Sequence, residues 1–391
     1  MKNIRIAINA LSGRVGGGVT GFRFLLPALG RLGCDDEFHV IISPRQTVIR
    51  EAVPPGFKVH FVSFDATNLV KRVLFEQVVL PVLLLRWKID VLYSVGNTTS
   101  LLAPCKVVLL MENSNPYSRL DLPWSWKERI HLRTLRLLGA LSAWRADRIR
   151  FVSEDSRNLL CNQLGISREK TSVIYHGYSP VTPNGSMKPV DGSTLPGRFI
   201  LTVSTLAPHK NLERLMAAFN LLVERSGYPG ELLIIGSGWF HGYAKRLRHL
   251  QSTLAHGARI HFLGEKSAEE LASYYRAADA FVWVSLEETF GLPVVEAMGY
   301  GAPVVTGQCP VDGPAYFNPS EEICGDAAAY CNPLDVQSIA GAMQSVLSDP
   351  ARRELLRRGG SRRADDFNWA AVAGQLHQCF HRAVHEQLRL Y

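Results

Sequence analysis

The stretch Glu288-Thr-Phe-Gly-Leu-Pro-Val-Val-Glu296 decides how this chain is interpreted. The apolar, β-branched run at 280–285 before it predicts a strand, and Gly291 lets the backbone turn. Pro293 fits the first position of a helix, because its φ is already fixed near the helical value. The segment therefore predicts a strand, a loop and a helix start. Free N–H groups at a helix start carry partial positive charge, so this pattern favours an anionic or hydroxyl-rich ligand.

Two carboxylates flank the turn. Glu288 is expected on the loop and Glu296 in the first helical turn, with both side chains beside one polar crevice. Carboxylates at this spacing suit a sugar and a ribose, whose paired hydroxyls donate hydrogen bonds to them. The alternative is that both acids only complement the helix dipole. The Phe-Gly-Leu-Pro between them favours the ligand-binding interpretation.

This segment resembles the signature of the retaining glycosyltransferases of family 4, and other parts of the chain resemble that family in the expected order. The resemblance implies an α/β fold of the GT-B type, in which two Rossmann-like domains face each other across a cleft and a C-terminal helix crosses back to the first domain. It also implies residue roles. Glu296 would hold the donor ribose, and Glu288 with the backbone of Phe290, Gly291 and Leu292 would contact the transferred sugar.

Length and composition indicate a globular protein of two domains. The chain has 391 residues, of which 47% are hydrophobic and 20% charged. Its seven cysteines are scattered, odd in number and without a Cys-x-x-Cys pair, which predicts reduced thiols in a cytoplasm and argues against disulfides or a zinc site. The start alternates like a strand and does not resemble a signal peptide, and the longest apolar run, at 78–85, is too short to span a membrane.

The positive charge of the chain favours acidic partners. A formal net charge of +8 and a pI near 9.2 suit nucleotide phosphates or anionic lipid, while no nucleic-acid module is visible. The densest basic stretch, 124–150, carries seven Lys or Arg residues with Trp124, Trp126 and Trp144 among them. A basic helix with aromatic residues can lie on an anionic membrane. The alternative is a solvated helix face whose tryptophans belong to the core.

Strand-like runs alternate with helical patterns in two blocks, which predicts parallel sheets wrapped by helices. Between the blocks, a run rich in turn-forming residues predicts a linker that acts as a hinge. The predicted domains are 1–178 on the acceptor side, joined by about 375–391 crossing back, and 198–374 for the nucleotide sugar, with the linker at 179–197. The predicted strands of the first block are 4–9, 38–42, 59–62, 91–94, 107–111 and 150–153, and those of the second are 199–203, 231–235, 259–262, 280–284 and 303–306.

A second loop, at 204–211, follows the predicted strand at 199–203. Lys210 in this loop can place a mobile positive charge on a diphosphate, which offsets the charge that grows as the nucleoside diphosphate leaves. The family often has Arg-Lys-Asn here and a further Arg earlier in the loop. This sequence has His209 and Thr205 at those donor-binding positions, which leaves Lys210 as the main cation. The alternative is an exposed lysine at a helix start.

The first domain offers two more candidate sites. The glycine-rich loop after the first strand contains Gly17 and Gly18, which would lie beside the donor phosphates if the resemblance holds. Glu112 follows the predicted strand at 107–111 and could accept a proton from the acceptor hydroxyl. A retaining transferase needs no such base, since the leaving phosphate can take that proton. Glu112 is otherwise a loop carboxylate that organises turns.

The sequence therefore predicts a cytoplasmic, retaining hexosyltransferase that moves a sugar from a nucleoside-diphosphate sugar to a glycan or lipid-linked saccharide in cell-surface polysaccharide assembly. No cofactor and no metal is expected, nucleic acid is not an expected partner, and an anionic membrane surface is a possible one. Two alternatives stay open: a phosphorylase or hydrolase on the same fold, and a non-catalytic subunit that binds a nucleotide sugar.

Overall fold

The structure is a computed structural model that describes residues 3–13, 17–118, 120, 126–180, 195, 197–238, 242–308 and 317–386. The chain divides into two compact units. The first comprises Met1–Tyr117, Trp124–Gly177 and Asn368–Tyr391, and the second comprises Ser118–Pro123 and Tyr178–Phe367. The predicted boundary at residue 178 thus falls at Gly177, and the return near residue 375 starts at Asn368. Most of the predicted linker lies outside the described residues.

The first unit is built on a seven-stranded sheet in the order β3-β2-β1-β4-β5-β6-β7, with every pair parallel. The central strands are almost wholly apolar and buried, as expected where helices cover both faces of a sheet. The order reverses beside β1, which makes the carboxyl ends of β1 and β4 a switch point, the place at which open α/β sheets generally bind their ligands. The strands are β1 (Arg5–Asn9), β2 (Glu37–Ile42), β3 (Lys58–Phe61), β4 (Val91–Ser94), β5 (Lys106–Met111), β6 (Arg148–Phe151) and β7 (Thr171–Val173).

The second unit repeats this plan with a six-stranded parallel sheet in the order β10-β9-β8-β11-β12-β13. Its switch point lies between β8 and β11, the two strands that precede the loops carrying Lys210 and Glu288. The strands are β8 (Phe199–Val203), β9 (Glu231–Ile235), β10 (Ile260–Gly264), β11 (Ala280–Trp283), β12 (Val304–Gly307) and β13 (Ala328–Cys331). Each unit is therefore a Rossmann-like α/β layer structure, as predicted.

Helices connect the strands in both units. Those of the first unit are α1 (Gly17–Gly30), α2 (Thr47–Glu51), α3 (Leu69–Leu74), α4 (Leu80–Arg86), α5 (Trp126–Arg145) and α6 (Glu154–Leu164), with a π-helical segment (Phe75–Val79) joining α3 to α4. Those of the second unit are α7 (Leu212–Ser226), α8 (Tyr243–Thr253), α9 (Ala268–Ala277), α10 (Leu292–Gly299), α11 (Ser320–Cys324), α12 (Val336–Leu347) and α13 (Pro350–Ala364). The last helix is α14 (Trp369–His385).

Helix α14 belongs to the first unit, although the chain reaches it from the second. It packs against α1, β4 and β5 through an apolar face that includes Leu376, Phe380 and Ala383. The predicted return of a C-terminal helix to the first domain is therefore confirmed. A single helix, Trp369–His385, makes this return.

The sequence misplaced one strand and missed two. Strand β6 ends at Phe151 and not at Ser153, because Ser153 caps α6: its Oγ accepts a 3.0 Å hydrogen bond from the Ser156 amide. The missed strands, β7 and β13, are edge strands of three and four residues. Runs this short carry too little periodic signal to be recognised.

Two further properties concern the described residues as a whole. None of their helices combines the length and the apolarity needed to cross a bilayer. Their cysteines are free thiols, as the scattered cysteine pattern predicted.

Candidate functional site

The turn into α10 depends on Gly291. This residue has φ +88°, in the left-handed region that favours glycine, and it forms the N-cap of α10. Helix α10 begins at Leu292, so Pro293 occupies the second helical position and not the predicted first. The amides of Val294 and Val295 donate to the Gly291 carbonyl. The start of this helix thus stands at the carboxyl end of β11, where the sequence placed it.

Glu296 lies in the second turn of α10, and the prediction that it lies in the first turn was wrong. The helix begins one residue earlier than Pro293 suggested, which moves Glu296 to its fifth position. Its Oε2 accepts a 3.0 Å hydrogen bond from the Tyr275 hydroxyl. Burial raises the pKa of Glu296 to about 7, and the Tyr275 hydrogen bond only partly opposes this shift. The carboxyl group is therefore poised to change its charge near neutral pH.

Lys210 and Glu288 form an ion pair between their Nζ and Oε1 atoms. Their side chains are only 13% and 14% exposed, so the alternative of an exposed lysine at a helix start was wrong. Lys210 lies in the short turn Pro208–Lys210 before α7, and its Nζ stands 5.0 Å from the centre of the Trp283 ring. The Trp283 indole Nε1 is buried and has no hydrogen-bond partner within the described part of the chain. A cation, a carboxylate and an indole donor therefore lie together.

His209 fixes the loop that precedes Glu288. Its carbonyl accepts hydrogen bonds from the Ser285 hydroxyl at 3.1 Å and from the Leu286 amide at 2.7 Å. Burial, with the neighbouring Lys210 charge, holds the pKa of His209 well below its usual value. The imidazole is therefore neutral and does not supply the positive charge that an arginine at this position would. Its contribution here is to position the loop.

Asn211 ties the loop that carries Lys210 to the loop that carries Glu288. It adopts φ +60°, and its Nδ2 donates to the carbonyls of Val284 at 3.0 Å and Pro333 at 2.6 Å. Asn tolerates the left-handed backbone conformation better than most residues. Asn211 can therefore both end the turn Pro208–Lys210 and serve as the N-cap residue of α7. Lys210 is thus held between a fixed His209 carbonyl and a buried Asn211.

The other predicted donor residues have different environments. The Glu288 amide donates to the Phe317 carbonyl at 2.8 Å, which anchors the loop from its far side. Phe290 is buried against Phe367, with ring centres 5.6 Å apart, so its side chain serves packing. Leu292 opens α10, while Thr205 is exposed on the loop after β8.

In the first unit, Gly17 and Gly18 lie in the first turn of α1 and not in the predicted loop. The chain turns before them, where the Gly13 amide donates to the Ala10 carbonyl, and α1 begins at Gly17. Residues 14–16, which complete the glycine-rich motif, lie outside the described residues. Gly18 lines a small pocket at the carboxyl ends of β4 and β5, together with Glu112 and His176.

Glu112 pairs with His176, whose Nε2 lies 3.2 Å from Oε2 of the carboxylate. Burial lowers the pKa of His176, although the hydrogen bond to Glu112 opposes this shift. The lowered pKa favours the uncharged form of the imidazole. Asn97, at φ +69°, accepts the Glu112 amide at 2.9 Å and the Asn113 amide at 3.1 Å through Oδ1. His176, which nothing in the sequence singled out, thus contacts a candidate site residue.

Helix α5 presents an exposed apolar stripe flanked by basic residues. The stripe consists of Trp126, Ile130, Leu137, Leu141 and Trp144. Trp126 is 68% and Trp144 81% exposed, so the alternative that they belong to the core was wrong, and Trp124 lies outside the described residues. Three arginines of this stretch instead make internal contacts, namely Arg145, Arg148 and Arg150.

Sequence reasoning missed Tyr275, Trp283 and Asn97. Each contacts a candidate residue only after folding, and none lies in a motif with a diagnostic spacing. The apolar run at 280–285 was correctly recognised as a strand, which the structure ends at Trp283, but an apolar run does not reveal that the Trp283 ring lies against the Lys210 ammonium.

Comparisons with known proteins agree with this architecture. Residues 15–181 match the family model described as Glycosyltransferase Family 4, and residues 188–363 match the one described as Glycosyl transferases group 1. The chain is similar to O-antigen chain mannosyltransferase B of Escherichia coli, with 31% identity over 175 residues, which are 44% of this chain and 42% of that protein. The match therefore spans less than half of that relative.

Two solved structures share the fold over nearly the whole chain. Sucrose-phosphate synthase from Thermosynechococcus elongatus has a TM-score of 0.73 and 20% identity, covering 97% of this chain and 99% of that one. Anabaena Alr3699/HepE in complex with UDP and glucose has a TM-score of 0.71 and 18% identity, covering 97% and 100%. At these identities the likeness shows the fold alone.

Proposed function

Because this chain belongs to glycosyltransferase family 4 and has the GT-B fold, we propose that it is a retaining, metal-independent hexosyltransferase. It moves a sugar from a nucleoside-diphosphate sugar to a hydroxyl of a glycan or lipid-linked saccharide, in cell-surface polysaccharide assembly. The observation that carries this proposal is the Lys210–Glu288 ion pair beside Trp283, at the loop that leads into α10.

Donor binding exchanges partners within that ion pair. The diphosphate takes the Lys210 ammonium, and Glu288 is released to accept a hydrogen bond from a hydroxyl of the transferred sugar. Both groups are largely shielded from water, which strengthens their interaction with a charged ligand. Lys210 then offsets the negative charge that grows on the leaving diphosphate. In this proposal the Lys210 side chain supplies the compensating positive charge without a metal ion.

The helix start and Glu296 complete the donor site. At the start of α10, Pro293 has no N–H and the amides of Val294 and Val295 donate to the Gly291 carbonyl, so the Leu292 amide is the one that this helix start offers to the sugar or the phosphates. Glu296, with Tyr275 on one oxygen, keeps acceptor capacity for the ribose hydroxyls. Thr205 and His209 border the phosphate side of this site.

The acceptor binds to the first unit, beside Glu112 and His176 at the carboxyl end of β5. Its hydroxyl attacks the anomeric carbon from the face that the diphosphate leaves, so the anomeric configuration is retained. The leaving phosphate takes the hydroxyl proton, and Glu112, held by His176 and Asn97, orients the acceptor. This assignment gives Glu112 a positioning role.

The first test is a thermal-shift screen with UDP, GDP and ADP, each with and without EDTA. A ligand that binds only the folded state raises its melting temperature, and at about 100 times the Kd we expect a rise of about 5 °C. One of the three should stand out, and EDTA should leave the increment unchanged. If none of the three nucleotides raises the melting temperature, the donor site is wrongly assigned.

Donor affinity should increase with pH through the titration of Glu296. A raised pKa of about 7 means that the ionised form, which accepts the ribose hydroxyls, predominates above pH 7 and is lost below it. Between pH 8 and pH 6 we expect the affinity for the nucleotide to fall about tenfold. Calorimetry on wild type and Glu296→Gln checks this, because the variant should bind weakly and keep only the pH dependence of the nucleotide itself. If the nucleotide affinities of the two proteins depended on pH in the same way, Glu296 would not be the group that binds the ribose.

We also propose that the protein works at the cytoplasmic face of an anionic membrane, through α5. The exposed apolar stripe lies on the same helix as four exposed basic residues, which are Lys127, Arg129, Arg133 and Arg136. A helix of this kind inserts its apolar side chains at the headgroup level, while its cations attract anionic lipid. A lipid-linked acceptor would be met at that surface.

Binding to lipid vesicles tests whether the protein docks on an anionic membrane through α5. We expect the wild type to sediment with vesicles containing phosphatidylserine, and the change of Arg129, Arg133 and Arg136 to Gln to weaken binding about 100-fold, at about 1 kcal/mol per charge. The matched control changes three exposed arginines of α13, Arg352, Arg357 and Arg362, to Gln. Equal losses in both variants would indicate a net-charge effect and contradict docking through α5.

A further inference from the structure

A cluster of metal-ligating side chains lies between α14 and the loop that connects α1 to β2. It consists of Cys34, Asp36, His377 and His381. One ligand atom each from Cys34, Asp36 and His377 all lie within 4.8 Å of one another. The Oδ2 atom of Asp36 is 2.6 Å from Nε2 of His377 and 2.8 Å from Nε2 of His381. Three potential ligand atoms thus converge, and the His381 nitrogen joins them through the Asp36 carboxylate; all four residues belong to the first unit.

The local structure fixes each of these groups. His377 and His381 are four residues apart on α14, a spacing that places both imidazoles on one face of the helix. The other two ligands come from the loop after α1, where Gly33 turns the chain at φ +63°. Asp36 is held by its Oδ1, which accepts a 2.7 Å hydrogen bond from the Ile4 amide. The packing of α14 on α1 brings the two sides together.

The cluster is shielded from solvent. The side chains of Asp36, His381 and His377 are 4%, 8% and 18% exposed. Both imidazoles direct Nε2 at the same carboxylate oxygen, so two donors share one acceptor while the Cys34 thiol stands beside them. If a divalent cation were bound by all four groups, each group would form its own coordination bond, and the two imidazoles would no longer compete for the Asp36 Oδ2 atom.

We propose that Cys34, Asp36, His377 and His381 form a structural zinc site. A sulfur, two imidazole nitrogens and one carboxylate oxygen make a four-ligand set of the type that Zn²⁺ takes in closed tetrahedral sites, whereas Ca²⁺ and Mg²⁺ prefer oxygen ligands. Binding releases the Cys34 thiol proton to solvent and ties α14 to the α1–β2 loop. The donor-site residues lie in the second unit, so this zinc takes no part in the proposed transfer chemistry.

The sequence argued against a zinc site because it contains no Cys-x-x-Cys pair. That criterion detects only sites whose cysteines lie close together in sequence. Here a single cysteine is used, and Asp36 and His377 are 341 residues apart. The site exists only because the last helix returns to the first unit.

The full-length chain, stripped with EDTA and dialysed, tests this proposal by titration with Co²⁺ and then Zn²⁺. We expect one equivalent of Co²⁺ to give visible bands of a tetrahedral site and a near-ultraviolet thiolate charge-transfer band, both removed by one equivalent of Zn²⁺. Zinc should raise the melting temperature by about 5 °C or more. The result that overturns the proposal is no stoichiometric binding, or binding without the thiolate band.

Variants locate the site. Cys34→Ser should lose the charge-transfer band, and the double change His377→Ala with His381→Ala should lose stoichiometric binding altogether. His131→Ala, an exposed histidine of α5 in the same unit, is the matched control and should bind like the wild type. Protection of Cys34 from a thiol reagent by zinc in the wild type gives a second measurement, which holds even if the double variant fails to fold. Metal binding that persists in a folded double variant would refute the assignment.

Discussion

Replacing Lys210 by alanine is expected to lower kcat by about 10³-fold, the effect of removing a well-placed charge from a transition state in a shielded site. Lys210 is 13% exposed and lies against Trp283, so water would not substitute well for its ammonium. His209 does not compensate, because its buried imidazole is neutral. Steady-state transfer assays should show the loss mainly in kcat, since the diphosphate carries more charge as it leaves than in the bound donor.

The control for this prediction is Lys245→Ala, which removes an exposed lysine from α8. Lys210→Ala also leaves Glu288 without its partner, so the double variant Lys210→Ala with Glu288→Ala is needed to separate loss of catalysis from an unpaired buried charge. Lys210→Arg keeps the charge but not the shape, and should recover part of the activity. A kcat within threefold of wild type in Lys210→Ala would mean that the leaving group is stabilised elsewhere.

The fold was predictable because the signals for it are local. The buried strands, such as β4 and β8, are short apolar runs bounded by turn residues, and both ends of each were predicted. The glycine before α10 was visible as well. Where one residue serves two elements the prediction failed, as at Ser153, which ends a strand run and caps α6.

The candidate site was predictable only in part. Glu288, Glu296 and Lys210 carry recognisable motifs, but their partners depend on how the strand ends are arranged. Tyr275 reaches Glu296 from α9, a contact that no spacing in the sequence indicates. The charge state of Glu296 was equally hidden, because desolvation depends on the folded surroundings and not on neighbours in sequence.

The exposure of α5 was hidden for the same reason. Tryptophan is usually buried to a large extent, so its presence in a helix favours a core position. Trp126 and Trp144 lie outside because the opposite face of α5, with Gly139, Ser142 and Ala143, is the one that packs on β5 and on the turn Asn115–Tyr117. Small residues on the buried face allow close packing and leave the large ones to solvent.

Replacing Glu288 by glutamine is the second large effect expected. The change keeps the shape of the side chain but removes its charge, so the sugar loses a charge-assisted hydrogen bond of about 3 kcal/mol, which is about 100-fold in kcat. The same change releases Lys210 from its ion pair. Binding of the nucleoside diphosphate itself should therefore be unchanged or tighter, while transfer falls.

This opposition between binding and turnover separates the candidate functions. A transferase should lose activity in Glu288→Gln and gain or keep nucleotide affinity by calorimetry, whereas a non-catalytic binding subunit would lose only affinity for the sugar. A phosphorylase or hydrolase would show turnover with inorganic phosphate or water in the wild type and no dependence on an acceptor saccharide. Glu354→Gln, which removes an exposed partner of Arg358 on α13, is the matched control and should change neither quantity. Weaker nucleotide binding in Glu288→Gln would show that Lys210 does not exchange Glu288 for the diphosphate, and the proposed donor geometry would have to be abandoned.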